Sequence, residues 1–208
     1  MTYRRFSVVI LAGGQSRRMG RDKRALPWMP APQGLPQTLL GHVVATASRL
    51  TDDIVLVAND DPGVTGARVV GDLYPRSGSL GGIYSGLAAA AHDLAFVAAA
   101  DMPFLNPMLI LDLVRQASRV DAVVPVTGGR PEPLHAVYRK TVLAPARRQI
   151  DRRELKIALV FNAVSTVRVP EADLRMLDQD LRSFWNLNTP EEYQRALALA
   201  ADHGAGGA

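Results

Sequence analysis

The sequence predicts an α/β protein, with a mostly parallel sheet as the middle of three layers, on three observations. Four short blocks, 6-FSVVILA-12, 54-IVLVA-58, 94-LAFVAAA-100 and 121-DAVVPV-126, are apolar and rich in β-branched or small residues, as strands buried on both faces must be. The intervening stretches 37-QTLLGHVVATASRL-50, 82-GIYSGLAAAAH-92 and 107-PMLILDLVRQASR-119 have helical length and apolar spacing. Strand and helix therefore alternate, the order of a parallel sheet with helices on its faces.

Taken in chain order, residues 6–12 are the first strand and run straight into a glycine-rich, basic loop. The stretch 27-PWMPAPQGLP-36 holds four prolines and a glycine, so it is expected to be a loop, either a lid or a surface insertion. The helices and strands at 37–50, 54–58, 82–92, 94–100, 107–119 and 121–126 follow. Beyond residue 126 the order changes: 128-GGRPEP-133 reads as a turn, 134-LHAVYR-139 as a strand and 164-VSTVRVP-170 as a later one, expected in a smaller antiparallel or mixed section. The tail 203-HGAGGA-208 is expected to be disordered. Residues 1–202 are expected to form one domain, since a single core can grow to about 250–300 residues before chains divide.

Composition narrows the function. The chain has no cysteine, which removes disulfides, thiolate metal sites and a cysteine nucleophile, and suits a reducing compartment. The apolar run 8-VVILA-12 is far shorter than a signal segment or a membrane span, so a soluble cytoplasmic protein with no membrane partner is expected. A formal net charge of +4, spread along the chain, with 6% aromatic residues offers no stacking platform for nucleic acid and leans toward small anionic ligands.

Ligands of open α/β sheets bind beyond the carboxyl ends of the strands, where Gly13 to Lys23 must lie if residues 6–12 are the first strand. Gly13 and Gly14 let the backbone approach a ligand, and Arg17, Arg18, Arg21, Lys23 and Arg24 supply positive charge, so a polyphosphate is the expected ligand. Two familiar phosphate motifs do not fit. Gly14 and Gly20 are separated by five residues and Gly20 is followed by Arg-Asp-Lys, which is not a Walker A loop, and the dinucleotide GxGxxG is absent.

The stretch 11-LAGGQSRRMGRDK-23 resembles the LAGGxSxRMGxDK signature of the MobA-like nucleotidyltransferases, in particular the molybdenum cofactor guanylyltransferases. Further segments are similar to that family in order: 72-DLYPRSGSLGGIYSGL-87, 98-AAADMPFL-105, 129-GRPEPLHAVYR-139 and 186-NLNTPEEY-193. The resemblance spans residues 6–195. Ser79 stands where the family has proline, Ala100 where it has cysteine, and the 27–36 loop is richer in proline. The resemblance implies a Rossmann-like nucleotidyltransferase fold of the nucleotide-diphospho-sugar transferase type. It also implies GMP transfer from GTP to the terminal phosphate of molybdopterin with Mg²⁺ as cofactor, and transient contact with molybdopterin-supplying proteins and acceptor molybdoenzymes.

Asp101 ends the strand 94–100 and should emerge at the same sheet edge as the glycine loop. A carboxylate beside bound phosphates is a usual Mg²⁺ ligand, and the resemblance implies that role too. An alternative, Asp101 as cap of the helix near Asn106, places it several residues too early. The resemblance puts Lys23 on the triphosphate, with Arg17 a second candidate, and puts Leu11, Ala12, Gly13, Gly14, Asn59 and Asp72 around the nucleotide. Asn59 lies in 59-NDDPG-63 and is equally a turn residue. Gly81 and Gly82 are expected to lead into a helix whose free N–H groups face the anion. Thr189, Pro190 and Glu192 form a capping box, leaving Asn186, by analogy, to approach the second substrate or metal. His42, His92 and His203 are expected to be surface or packing residues, and His135 lies nearer the second-substrate side.

Three other readings remain open on the sequence: a cytidylyltransferase for the same cofactor or a sugar-phosphate nucleotidyltransferase, a non-catalytic cofactor-binding protein, and a basic RNA binder. The pair Gly13-Gly14 after Ala12 resembles the guanylyl branch, where the cytidylyl branch more often has LAAG.

Overall fold

Strand β1 (Ser7–Leu11) is apolar on both faces and lies inside the sheet, paired in parallel with β4 (Ile54–Val57) and β6 (Leu94–Ala99). The computed structural model describes residues 5–13, 23–28 and 37–205. Gly14, Arg17, Arg18 and Arg21, and most of the proline-rich stretch, lie outside the described residues.

Side chains alternate across the strands with period two. Val8 and Ile10 pack with helices α1 (Leu39–Ser48) and α3 (Pro107–Gln116), through Leu40, Val43, Leu109 and Leu113. Val9 faces the other way, against Leu80, Ile83 and Leu87 of α2 (Gly78–Ala89) and residues near α4 (Leu143–Asp151). The sheet therefore lies between two helical layers, as expected.

Beside β4 a short parallel strand, β5 (Arg68–Val70), closes one edge. On the other side the late strands make the expected mixed section, within the one sheet. The strand predicted at 134–139, β9 (His135–Arg139), inserts antiparallel between β6 and β7 (Ala122–Thr127). The strand predicted at 164–170 is β10 (Thr166–Val169), which extends the same sheet in parallel beyond β7. The order is β10-β7-β9-β6-β1-β4-β5, with the short β8 (Arg130–Pro131) folded back on β7. Gly128 and Gly129, at φ 53° and 75°, make that tight turn possible.

Helix α2 lies unusually close to the sheet. A side chain at Gly86 would place its Cβ 2.1 Å from Val9 Cγ1, and one at Gly82 would lie 3.3 Å from Leu11 Cδ1, so glycines four apart provide the approach. Its first turn is thereby set near the carboxyl end of β1.

The proline-rich stretch also departs from expectation at its start. Pro27 and Trp28 form strand β2, antiparallel to β3 (Gln37–Thr38), where a loop and the beginning of a helix were predicted. Trp28 is buried, with its ring 5.2 Å from His42 and 5.8 Å from Phe104, and that packing outweighs the local proline signal. His42 also lies 2.9 Å from the Pro103 carbonyl through Nε2, while His92 follows α2 rather than lying on it.

Short helices α5 (Val160–Ala163) and α6 (Glu171–Arg175) flank β10. The last helix, α7 (Pro190–Ala205), begins with the expected capping box: Glu192 N–H donates to Thr189 Oγ1 at 3.2 Å and Glu192 Oε2 accepts the Thr189 N–H at 3.0 Å. It continues through 203–205, where a disordered tail was expected; 206–208 lie outside the described residues. Among the described residues no helix is long and apolar enough to cross a membrane.

Candidate active site

At the carboxyl ends of β1, β4 and β6 the described residues enclose a cleft of about 870 Å³. Leu11, Ala12 and Gly13 leave β1 into it, Asn59 follows β4, Asp72 follows β5, and Asp101 follows β6. Lys23, Arg24 and Asn186 also line it, so the sequence-predicted residues in the described segments, Gly81 apart, converge on one place.

The centre is an ion pair. Lys23 Nζ lies 3.3 Å from Asp101 Oδ2, with the two side chains 16% and 22% exposed. The same ammonium donates to Asn188 Oδ1 at 3.2 Å. Asn188 is brought there because Leu187 N–H donates to the Asp101 carbonyl at 3.0 Å, fastening residues 186–188 beside the end of β6. Asn186 lines the cleft, with its Nδ2 on the Phe184 carbonyl at 3.3 Å. The Lys23 contact, however, belongs to Asn188, which sequence reasoning left aside in favour of Asn186. Its signal was present in 186-NLN-188, two amides on one side of an extended segment.

Arg24 is differently committed: its guanidinium grips Asp60 through two bonds of 2.6 Å, and these hold the Asp60 carboxyl below its usual range. It also reaches the Ala12 carbonyl at 3.4 Å.

Asn59 and Asp72 have structural duties beside their place in the cleft. Asn59 Oδ1 accepts the Asp72 N–H at 2.9 Å. Asp72 Oδ1 accepts the Tyr74 N–H at 2.9 Å and lies 3.0 Å from the Ser85 hydroxyl, so it ties the turn before α2 to the helix itself.

Gly81 is a correction. Helix α2 begins at Gly78, not near residue 82, and the Gly81 N–H donates to Ser77 O at 3.3 Å, so it is not free for an anion. A Cβ there would lie 2.8 Å from the Tyr74 carbonyl, so glycine is needed for packing against the preceding turn. Gly78, Ser79 and Gly82 line the cleft instead, and amides of the first helical turn before Gly81 are the ones without helical partners.

The donors suit a hard divalent cation held mainly by substrate. Among the described residues no group of three or more His, Asp or Glu could enclose a metal. Two carboxylates of these residues line the cleft, Asp72, whose Oδ1 is engaged by the Tyr74 N–H and the Ser85 hydroxyl, and Asp101; Mg²⁺ commonly takes one or two carboxylates plus phosphates and water.

The MobA-like NTP transferase domain family matches residues 8–164, three quarters of the chain and all the strands around the cleft. The chain is a MobA-like NTP transferase. Among curated relatives of this transferase, the molybdenum cofactor guanylyltransferase of Desulfosudis oleivorans is 37% identical over 193 residues, covering 91% of this chain and 93% of that one. A probable molybdenum cofactor guanylyltransferase of Chloroflexus aggregans is 39% identical, covering 92% and 93%. Among solved structures, the molybdopterin-guanine dinucleotide biosynthesis protein A of Archaeoglobus fulgidus superposes with a TM-score of 0.80 at 28% identity, over 95% of this chain and all of that one. The 2-C-methyl-D-erythritol 4-phosphate cytidylyltransferase of Thermus thermophilus, at TM-score 0.65 and 21% identity over 95% and 100%, shares the fold. The expected nucleotidyltransferase fold and class of enzyme are therefore those of this MobA-like transferase.

Proposed function

We propose that the protein is a molybdenum cofactor guanylyltransferase, moving GMP from GTP to the terminal phosphate of molybdopterin. An oxygen of that phosphate attacks the α-phosphorus of GTP, a new P–O bond forms, the α–β bridging bond breaks and its electrons leave with pyrophosphate. The nucleophile is already ionised, so no general base is needed, and catalysis reduces to positioning and charge stabilisation. The Lys23–Asp101 pair in the cleft of a chain with these relatives carries the reading.

In this reading Lys23 takes the charge that develops on the leaving pyrophosphate, and Asn188 keeps its ammonium in place. Arg17, outside the described residues, is a second candidate for the triphosphate. Asp101 would hold Mg²⁺, which supplies charge neutralisation between phosphates when bound. Asn186 approaches the acceptor or the metal. Leu11, Ala12 and Gly13 pass beneath the nucleotide, Gly14, outside the described residues, is a further candidate, Asn59 and Asp72 serve its nucleoside, and the first turn of α2 offers backbone N–H groups. The reaction belongs in the cytoplasm, with molybdopterin-supplying proteins and acceptor molybdoenzymes as transient partners.

Pyrophosphate release from GTP and from CTP, with molybdopterin and with or without Mg²⁺, tests the reading. Release with GTP and Mg²⁺, lost in Asp101→Ala, supports it. Faster release with CTP moves the assignment to a cytidylyltransferase, and binding without release makes the protein a carrier.

A further inference from the structure

His135, the first residue of β9, is fully buried, yet its ring has work to do in hydrogen bonding. Nε2 lies 2.7 Å from Ser183 Oγ, and Nδ1 has no partner. Burial pushes the imidazole down to about 3, so the ring is neutral. A phenylalanine or leucine would pack here without leaving a buried nitrogen unsatisfied, so the position calls for an explanation beyond core filling.

Ser183 is a junction. Its hydroxyl oxygen accepts the Asn106 N–H at 2.9 Å, and its own N–H donates to Asp178 Oδ2 at 2.8 Å. The next residue, Phe184, lays its ring 4.4 Å from the His135 ring. From there the chain runs through Asn186 to Leu187, whose N–H holds the Asp101 carbonyl, and to Asn188, whose Oδ1 holds Lys23. His135 is also in register with Ala98 of β6, three residues before Asp101. His135 thus joins the strand that delivers Asp101, through the backbone pairing of β9 with β6, to the segment that delivers Asn188, through its imidazole.

We propose that His135 is a positioning residue for the transfer reaction: through its hydrogen bond to Ser183 it sets segment 183–188 against the end of β6, and so fixes Asn188 and Lys23 relative to Asp101. This role rests on the proposed guanylyl transfer for its catalytic consequence, but the bracing itself is independent of which nucleotide is used. His135→Phe keeps the contacts with Phe96 and Phe184 and removes only the polar bond; His135→Gln restores a donor of similar reach.

The test has two readouts. Hydrogen exchange of the Leu187 amide is expected to speed about 10-fold or more in His135→Phe, with amides of β6 unchanged, and to return toward wild type in His135→Gln. In turnover, His135→Phe is expected to lower kcat about 10-fold with KM for GTP within about 2-fold, and to cost nothing further when added to Asn188→Ala, because both act through one contact. A Leu187 amide as protected in His135→Phe as in wild type overturns the proposal, and so does a kcat loss that is fully additive with Asn188→Ala. Should His135→Phe not fold, His135→Leu removes the same bond, leaves the Asn106 N–H on Ser183 and is read the same way. If the wild-type protein transfers no nucleotide at all, the guanylyl reading fails while the exchange result still decides the brace.

Discussion

Lys23 Nζ sits between Asp101 Oδ2 and Asn188 Oδ1, so a charge near the start of the chain is fixed by groups 78 and 165 residues further on. Because the pair is partly open to water, its net contribution to folding is small, while its alignment with a polyphosphate bears on rate. Lys23→Ala and Asp101→Ala are each expected to lower pyrophosphate release about 10²–10³-fold. Their melting temperatures should stay within about 4 °C of wild type. Turnover assays beside thermal melts check both, and a collapse of stability without a specific loss of rate would count against a catalytic pair.

Gly86→Ala sets two effects against each other. Alanine favours the helix by up to about 1 kcal/mol. Its Cβ would stand 2.1 Å from Val9 Cγ1 and 3.2 Å from Val57 Cγ2, in a core where overpacking costs about 1–3 kcal/mol or more. The clash wins, and the variant is expected to melt several degrees lower. Val9→Ala in the same chain should recover part of the loss, which a double-mutant cycle by denaturant unfolding would read.

The buried His135 also makes stability depend on pH. In the unfolded chain it titrates near 6.5, whereas burial lowers the folded value to about 3. Between those values the unfolded state binds a proton that the folded state refuses, so stability is full above about pH 6.5 and declines as pH falls. The slope is at most about 1.4 kcal/mol per pH unit. Relative to His135→Phe, wild type should therefore lose about 2–3 kcal/mol between pH 7 and pH 4.5. Urea unfolding of both proteins across that range would show a changing gap; a constant one would mean the ring is not buried and neutral.

Asp121 gives the acid limb at a different site. The Thr141 hydroxyl donates to its Oδ1 at 2.5 Å, and the Ser165 N–H and hydroxyl donate to Oδ2 at 3.0 and 2.7 Å, joining the starts of β7 and β10. These bonds, that from Thr141 foremost, hold its carboxyl below the usual 3.8. The advantage over Asp121→Asn should be present at pH 7, about 2–4 °C in melting temperature for a net 1 kcal/mol. It should fade as pH drops below about 3.8 through the lower folded value. Melts at pH 7, 5 and 3 would reveal the convergence.

The parts of the fold that could be read in advance are those written in continuous apolar runs. Residues 54–57 and 94–99 are buried without a break and could only be inner strands. Arg68–Val70 is three residues long and faces water over most of its length, so no run announces it. The place of β9 was hidden for another reason: 134-LHAVYR-139 shows a strand, but which neighbours it separates is decided by the whole sheet. The site followed the same division. Asp101 was legible because it ends an apolar strand, whereas Asn188 depends on a backbone bond from Leu187 to Asp101 that no local pattern encodes. Gly81 was misread because a glycine needed for close packing looks, in sequence, the same as one that faces an anion.

The insertion of β9 between β6 and β7 has a consequence for a chain emerging from the ribosome. Every residue of 94–99 is buried in the finished sheet, yet one whole edge of that strand has no partner until 135–139 has been made. At about 5–20 residues per second, the roughly 40 residues from Ala99 to Arg139 leave that edge bare for about 2–8 s. During that interval the unpaired N–H and C=O groups of the strand are open to pairing with another chain.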